Sequence, residues 1–179
     1  MIVQNETSRG TDLDESPPDF ETTFRLHYPR IVYAIARVVG DAACAEELAV
    51  EVFWKFWRNP RIPCDKAGGW LYRTAIRLGI HELRRRARHA RYQRLLRLAG
   101  PQTPEEIRAG DEKQEQVRRV LSAIKPRDAE LLLLQSDEFR YEEIASALDL
   151  NFASVGTLVS RARLAFRKEY TKLYGEPRL

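Results

Sequence analysis

RYEEIASALDLNFASVGTLVSRARLAFRKEY, residues 140–170, decides how the rest of the chain is read. Its apolar residues fall on two segments of helical period, 141–149 and 154–170, parted by Asp149-Leu150-Asn151. Two helices crossing that closely need a small residue in the first and an apolar residue in the second that packs back; Ala145 and Val155 supply them. Ile144, Leu148, Leu158 and Phe166 can complete the core, and Ser154 is a candidate N-cap for the second helix. The exposed face then carries Thr157, Ser160, Arg161 and Arg163, side chains of the kind that reach base edges and phosphates. Residues Pro126 to Tyr170 therefore read as a helix-turn-helix built to bind DNA; an ordinary helical hairpin with a basic surface shares the pattern.

Upstream the chain is helical as well. Phe20, Phe24, Tyr28, Ile31, Ile35 and Val38 recur at helical steps until Gly40, and Asp41 can cap a second helix. The buried stripe of that second helix is expected at Ala45, Leu48, Ala49, Val52, Phe53, Phe56 and Trp57, with Asn59-Pro60 as its stop. RIPCDKAGG is expected as a loop leading to a third helix from Trp70 to about Leu98. Residues 99–112, with two prolines and two glycines, read as a flexible linker, followed by a helix around 113–124 and another opening at Pro126. Residues 1–18 read as a disordered acidic tail. The fold class is all-α: two small helical domains, 19–98 and 113–174, with no convincing strand.

The net charge of +4 is mild, but its distribution is not. Residues 73–97 carry nine arginines against one acid, Glu82, which suggests a polyanionic partner. Arg73, Arg77, His81, Arg84 and Arg88 share one helix face, a repulsive arrangement unless phosphates neutralise it. Trp70 and Tyr72 could stack on unpaired bases or pack in the core. On the second helix, Glu47, Val50, Glu51 and Trp54 form an acidic-apolar face suited to protein docking, unless Trp54 folds into the core. Cys44 and Cys64 have no paired spacing and no histidines nearby, so neither a zinc site nor a disulfide framework is expected. No signal core or membrane-length apolar run is present, and a cytoplasmic setting is expected. No metal cluster, nucleotide loop or triad is visible; no cofactor or catalytic activity is expected, and His27, His81 and His89 are scattered.

Three stretches in order carry a resemblance to a known family. GDAACAEELAVEVFWKFWR (40–58) and GGWLYRTAIRLGIHELRRRAR (68–88) resemble region two of a bacterial RNA polymerase sigma factor of the extracytoplasmic-function (ECF) type, within the sigma-70 family. LSAIKPRDAELLLLQSDEFRYEEIASALDL (121–150) is similar to the entry into its region four. The resemblance covers about Phe20–Tyr170. It implies a promoter-specificity subunit whose partners are core RNA polymerase, through its largest-subunit clamp helices and its flap, promoter DNA, and an anti-sigma factor. Glu47, Leu48, Val50, Glu51 and Trp54 would dock on polymerase. Asp65, Lys66, Trp70, Tyr72, Arg73, Arg77, His81, Arg84, Arg85 and Arg88 would capture and melt the −10 element. Arg140, Tyr141, Asn151, Ser154, Thr157, Ser160, Arg161 and Arg163 would read the −35 element.

The chain departs from the family pattern at several positions. Val50 stands where Gln is usual, Arg77 where Asn is frequent and His81 where Asp is frequent. The first weakens a polar contact but keeps the docking face; Arg77 and His81 make the −10 face more basic and bear on the −10 sequence preference. In the ungapped register Ala153-Ser154-Val155 takes the place of the family's Gly-Thr-Val, leaving Gly156 and Leu158 where basic residues are common. Region four alone is therefore expected to bind DNA poorly. A regulator that binds DNA without being a polymerase subunit would need a sensor or phosphoacceptor domain, and the N-terminal block lacks strands for a receiver fold. An RNA-processing enzyme with a basic helix would need a catalytic constellation, and none is visible.

Overall fold

α1 (Phe20–Val39) ends where Gly40 turns the chain at φ +72°, its N–H bonded to the Ala36 carbonyl at 2.8 Å. The next residue starts α2 (Ala42–Trp57): the Asp41 carboxylate accepts the Cys44 N–H at 3.1 Å, satisfying one of the donors a helix start leaves free. The computed structural model describes residues 20–59, 61–96 and 112–175, without the side chains at 64, 65 and 94–96. The tail expected over 1–18 and nearly all of the linker expected over 99–112 lie outside the described residues.

α3 (Cys64–Leu96) begins six residues before the expected Trp70, so most of the expected loop is helix. Gly68 and Gly69 lie inside it despite their poor helix propensity. The reason is tertiary. A Cβ on Gly68 would stand 2.9 Å from Cε1 of His27, so glycine lets α3 approach α1, and burial of Ala67 and Leu71 holds the first turns down. Phe53 centres this half, with Phe24 and Tyr28 at ring distances of 4.8 and 6.0 Å, among Ile31, Ile35, Val52, Leu71 and Ile76.

α4 (Glu112–Ala123), α5 (Pro126–Ser136), α6 (Tyr141–Leu148) and α7 (Phe152–Tyr174) form the second half around Val120, Leu131, Leu134, Ile144, Val155 and Val159. Pro126 opens α5 at a position where its missing N–H costs nothing. α6 stops at Asp149, which takes the left-handed conformation (φ +53°), and the Leu150 N–H closes on the Ala145 carbonyl at 2.9 Å. α7 is capped by Asn151, whose Oδ1 accepts the Ala153 N–H at 2.9 Å; the expected cap, Ser154, lies one turn inside the helix. Among the described residues there are seven α-helices and no strand.

The two halves touch. α3 packs against α4, α5 and α6, and the guanidinium of Arg118 in α4 fills the space a side chain at Gly40 would need.

Candidate polymerase and nucleic-acid interfaces

The first turns of α7 and the start of α6 present the helix-turn-helix surface. Tyr141, Asn151, Ser154, Thr157, Ser160 and Arg161 are all exposed. Gly156 lies beside the Tyr141 ring, 3.6 Å from where a Cβ would sit. Arg140 is exposed at the head of α6, its N–H donated to Glu143 Oε2 at 2.7 Å. The Ser160 hydroxyl is turned back to the Gly156 carbonyl at 2.9 Å. Arg163 does not join this surface. It lies about 160° round the helix from Arg161 and lines a groove between the halves with Arg37, Leu132 and Phe166.

On α2, Glu47, Val50, Glu51 and Trp54 are exposed and Leu48 is half-buried. Trp54 is 53% exposed, so it does not fold into the core. Trp57, placed in the buried stripe by its spacing, is 59% exposed, with its ring 5.2 Å from Trp54. Phe56 took the inner position instead; two bulky neighbours 100° apart cannot both point inward. Glu51 pairs with Lys55 at 3.0 Å and the Arg58 guanidinium sits 5.9 Å from the Trp54 ring. A patch of two indoles and Val50, rimmed by charge, has the composition of a docking surface rather than a solvated face.

The residues expected at the −10 element are not gathered on one free face. Lys66, His81 and Arg88 are exposed, Trp70 is half-buried 6.1 Å from Phe56, and the Asp65 side chain lies outside the described residues. Tyr72 is buried, its ring 4.6 Å from Phe139 and its hydroxyl bonded to Asp137. Arg77 Nε donates to both oxygens of buried Glu130, at 3.1 and 3.2 Å. Arg84 donates to the Ser122 and Ile124 carbonyls at 3.2 and 2.6 Å, at the C-terminal end of α4 where the helix dipole favours a cation. Arg37 also pairs with Asp137, and Arg30 lies 5.5 and 5.1 Å from the Tyr72 and Phe139 ring centres. Half-buried Arg73 faces a cleft of about 650 Å³ with Arg30, Arg61 and Lys66 on one side and Glu142 and Glu143 on the other. Burial, then the neighbouring Arg77, presses on its charge.

Sequence spacing could not show the partners of Tyr72, Arg77 and Arg84, because they arrive from the other half of the chain. Glu82, the lone acid of the arginine block, has a structural task. Buried, with only 6% of its surface exposed, it accepts two bonds from Arg85 (2.7 and 2.9 Å) and one from Arg86 (2.8 Å). Arg86 continues to the capping Asp41 at 3.1 Å, tying α3 to the head of α2. The Arg85 bonds hold the Glu82 carboxyl down at about 2. Among the described residues no group of histidine, cysteine and carboxylate side chains could hold a metal, and no helix is long and apolar enough to cross a membrane.

Comparison with known proteins agrees with this division. The family model of sigma-70 region 2 matches residues 23–89, and that of sigma-70 region 4 matches residues 114–166, together about two thirds of the chain. RNA polymerase sigma factor YlaC of Bacillus subtilis is 28% identical over 167 residues, 89% of this chain and 96% of that protein. The ECF RNA polymerase sigma factor SigJ of Mycobacterium tuberculosis is 27% identical over 173 residues, again 89% of this chain, which spans 52% of SigJ. In fold, the chain is similar to the sigma factor RpoE solved in complex with the anti-sigma factor NepR from Bartonella quintana. The TM-score is 0.51 at 18% identity, covering 84% of this chain and 96% of that one. Two region models in the right order, over halves whose helices carry those regions, show that the chain belongs to the sigma-70 family, in its extracytoplasmic-function branch.

Proposed function

We propose that this protein binds core RNA polymerase in the cytoplasm and directs it to promoters through a −10 and a −35 element. The observation that carries the reading is the exposed Val50–Trp54–Trp57 patch on α2, in the half that matches region 2, beside an arginine-rich α3. In this reading α2, with Glu47, Leu48, Val50, Glu51 and Trp54, docks on the clamp helices of the largest subunit, and region 4 meets the flap. α3, from Asp65 to Arg88, captures and opens the −10 element, and α6–α7 read the −35 element. The sigma-70 family consists of regulatory subunits, and the protein contributes no catalytic chemistry of its own. Control by an anti-sigma factor follows by analogy with the RpoE–NepR complex, an analogy of fold.

The arrangement of the halves shapes the mechanism. The guanidiniums of Arg77 and Arg84 already hold acceptors from α5 and α4, so the −10 surface becomes available when region 4 moves away. The test is gel filtration with purified core polymerase. A stoichiometric holoenzyme supports the reading, and its absence overturns it. Trp54→Ala with Glu51→Ala should abolish co-elution while the chain stays folded; retained binding by that variant would move the docking face elsewhere.

A further inference from the structure

Beside the joint of the halves runs an apolar groove of about 640 Å³ whose charged rim has one sign. Its floor is Tyr33 of α1, Val117 and Leu121 of α4, Leu132 of α5 and Phe166 of α7, so both halves build it. The rim carries Arg37, Lys113, Arg118 and Arg163, and no carboxylate of the described residues lines it. Arg37 is held by Asp137, but among the described residues Lys113 and Arg163 have no ion-pair partner. Arg118 reaches Gln114 and Glu115 with its terminal nitrogens and leaves Nε buried without an acceptor. Four cations around an uncovered apolar floor fit an acidic segment with an apolar side chain at its centre. The chain carries such a segment outside the described residues. It is Asp12-Leu13-Asp14-Glu15, in a stretch, 1–19, with five carboxylates against one arginine. Its distance fits as well. Tyr33 and Arg37 lie 13 and 17 residues beyond Phe20, about 20 and 26 Å along α1. Leu13 precedes Phe20 by seven residues, which span up to about 25 Å when extended, and Pro17-Pro18 favours an extended path. The arginine-rich end of α3 offers acid a charge partner too, but with Tyr92 as its one large exposed apolar side chain among the described residues.

We infer that the acidic segment around Leu13 docks in this groove of its own chain and clips region 2 to region 4. Leu13 covers the apolar floor, and Asp12, Asp14 and Glu15 meet the cations of the rim. The inference does not depend on the proposed function, since it concerns only how the free chain holds itself closed. The full chain is made with the photoreactive residue p-benzoylphenylalanine in place of Leu13 and irradiated at about 0.1 M salt. The expected result is cross-linking within one chain to peptides that contain Val117 or Phe166, identified by mass spectrometry. Lys113→Glu with Arg163→Glu, two exposed positions whose change leaves the cores intact, should lower the docked fraction relative to the free about ten-fold. A chain lacking residues 2–19 should expand at lower salt than the full chain in small-angle X-ray scattering. Cross-links to the arginine-rich end of α3, cross-links only between chains, or none at all overturn the docking. Cross-linking unchanged by both charge reversals overturns the role of the rim, and superimposable scattering with and without residues 2–19 overturns the clip.

Discussion

The contact between the two halves is held by charge, and it should be weakened by removing charge without changing shape. Glu130→Gln with Asp137→Asn is the direct perturbation. Glu130 takes both of its bonds from Arg77, and Asp137 is shared by Arg37 and the Tyr72 hydroxyl. Both carboxylates are largely buried, but Arg77 and Arg37 are exposed to water. Screening therefore limits each ion pair to about 0.5–1 kcal/mol, and the bond from Tyr72 to a charged acceptor adds about 1.5 kcal/mol. The amides keep part of the hydrogen bonding, so the expected loss is roughly half the sum, about 1–2 kcal/mol, or 5- to 30-fold in the ratio of closed to open chain. Small-angle X-ray scattering across a salt series from about 0.05 to 0.5 M reads the ratio, because salt weakens the same pairs. The double variant should expand at distinctly lower salt than the parent. Superimposable scattering at every salt concentration would refute the reasoning and leave the apolar Tyr72–Phe139 contact as the joint.

Three further outcomes are expected. Trp57→Ala alone should weaken core-polymerase binding at least ten-fold by surface plasmon resonance with an unchanged far-ultraviolet spectrum, since its ring is exposed beside Trp54. Glu82→Gln should cost roughly 1–2 kcal/mol at pH 7, discounted because both guanidinium partners are partly in water. Its folded carboxyl titrates near 2, below the unfolded value of about 4.5. The Glu82 contribution is thus present above pH 4.5 and lost as pH falls toward 2, and denaturant midpoints of parent and variant should converge there. Gly156→Ala should raise stability by about 0.5–1 kcal/mol, because the site is mid-helix and a Cβ would meet Tyr141 at an ordinary 3.6 Å; a lower melting temperature would contradict it.

Local signals were legible wherever a single residue type does the work. Gly40 stops α1, Asp41 caps α2, Pro126 opens α5 and Asp149 breaks α6 where the residues alone placed them. Two capping residues three apart, Asn151 and Ser154, were locally equivalent; the chain uses the earlier one because it starts α7 directly after the turn. Where tertiary contact overrides propensity, the sequence misleads. Gly68-Gly69 reads as a loop, yet the close approach of His27 makes glycine a packing residue in a helix. Trp57 reads as core because spacing cannot rank it against Phe56. The partners of Arg77 and Arg84 stand about 40 to 50 residues away and leave no periodic trace.

The arginine stripe joins these points. Like charges at helical spacing on α3 would destabilise it in isolation, so they require acceptors, and two kinds can supply them. One is on region 4: the Glu130 carboxylate holds Arg77, and the carbonyls at the end of α4 hold Arg84. The other is the phosphate backbone of promoter DNA. These acceptors compete for the same guanidiniums, so the free energy of DNA capture is reduced by whatever holds the halves together. Polymerase shifts that balance if it binds region 2 and region 4 at separate places, because each docking contact is then compatible only with the open chain. A region 4 with few cations over the bases fits such a scheme. On the proposed function it is expected to bind DNA weakly on its own and to read its element once polymerase has parted it from α3.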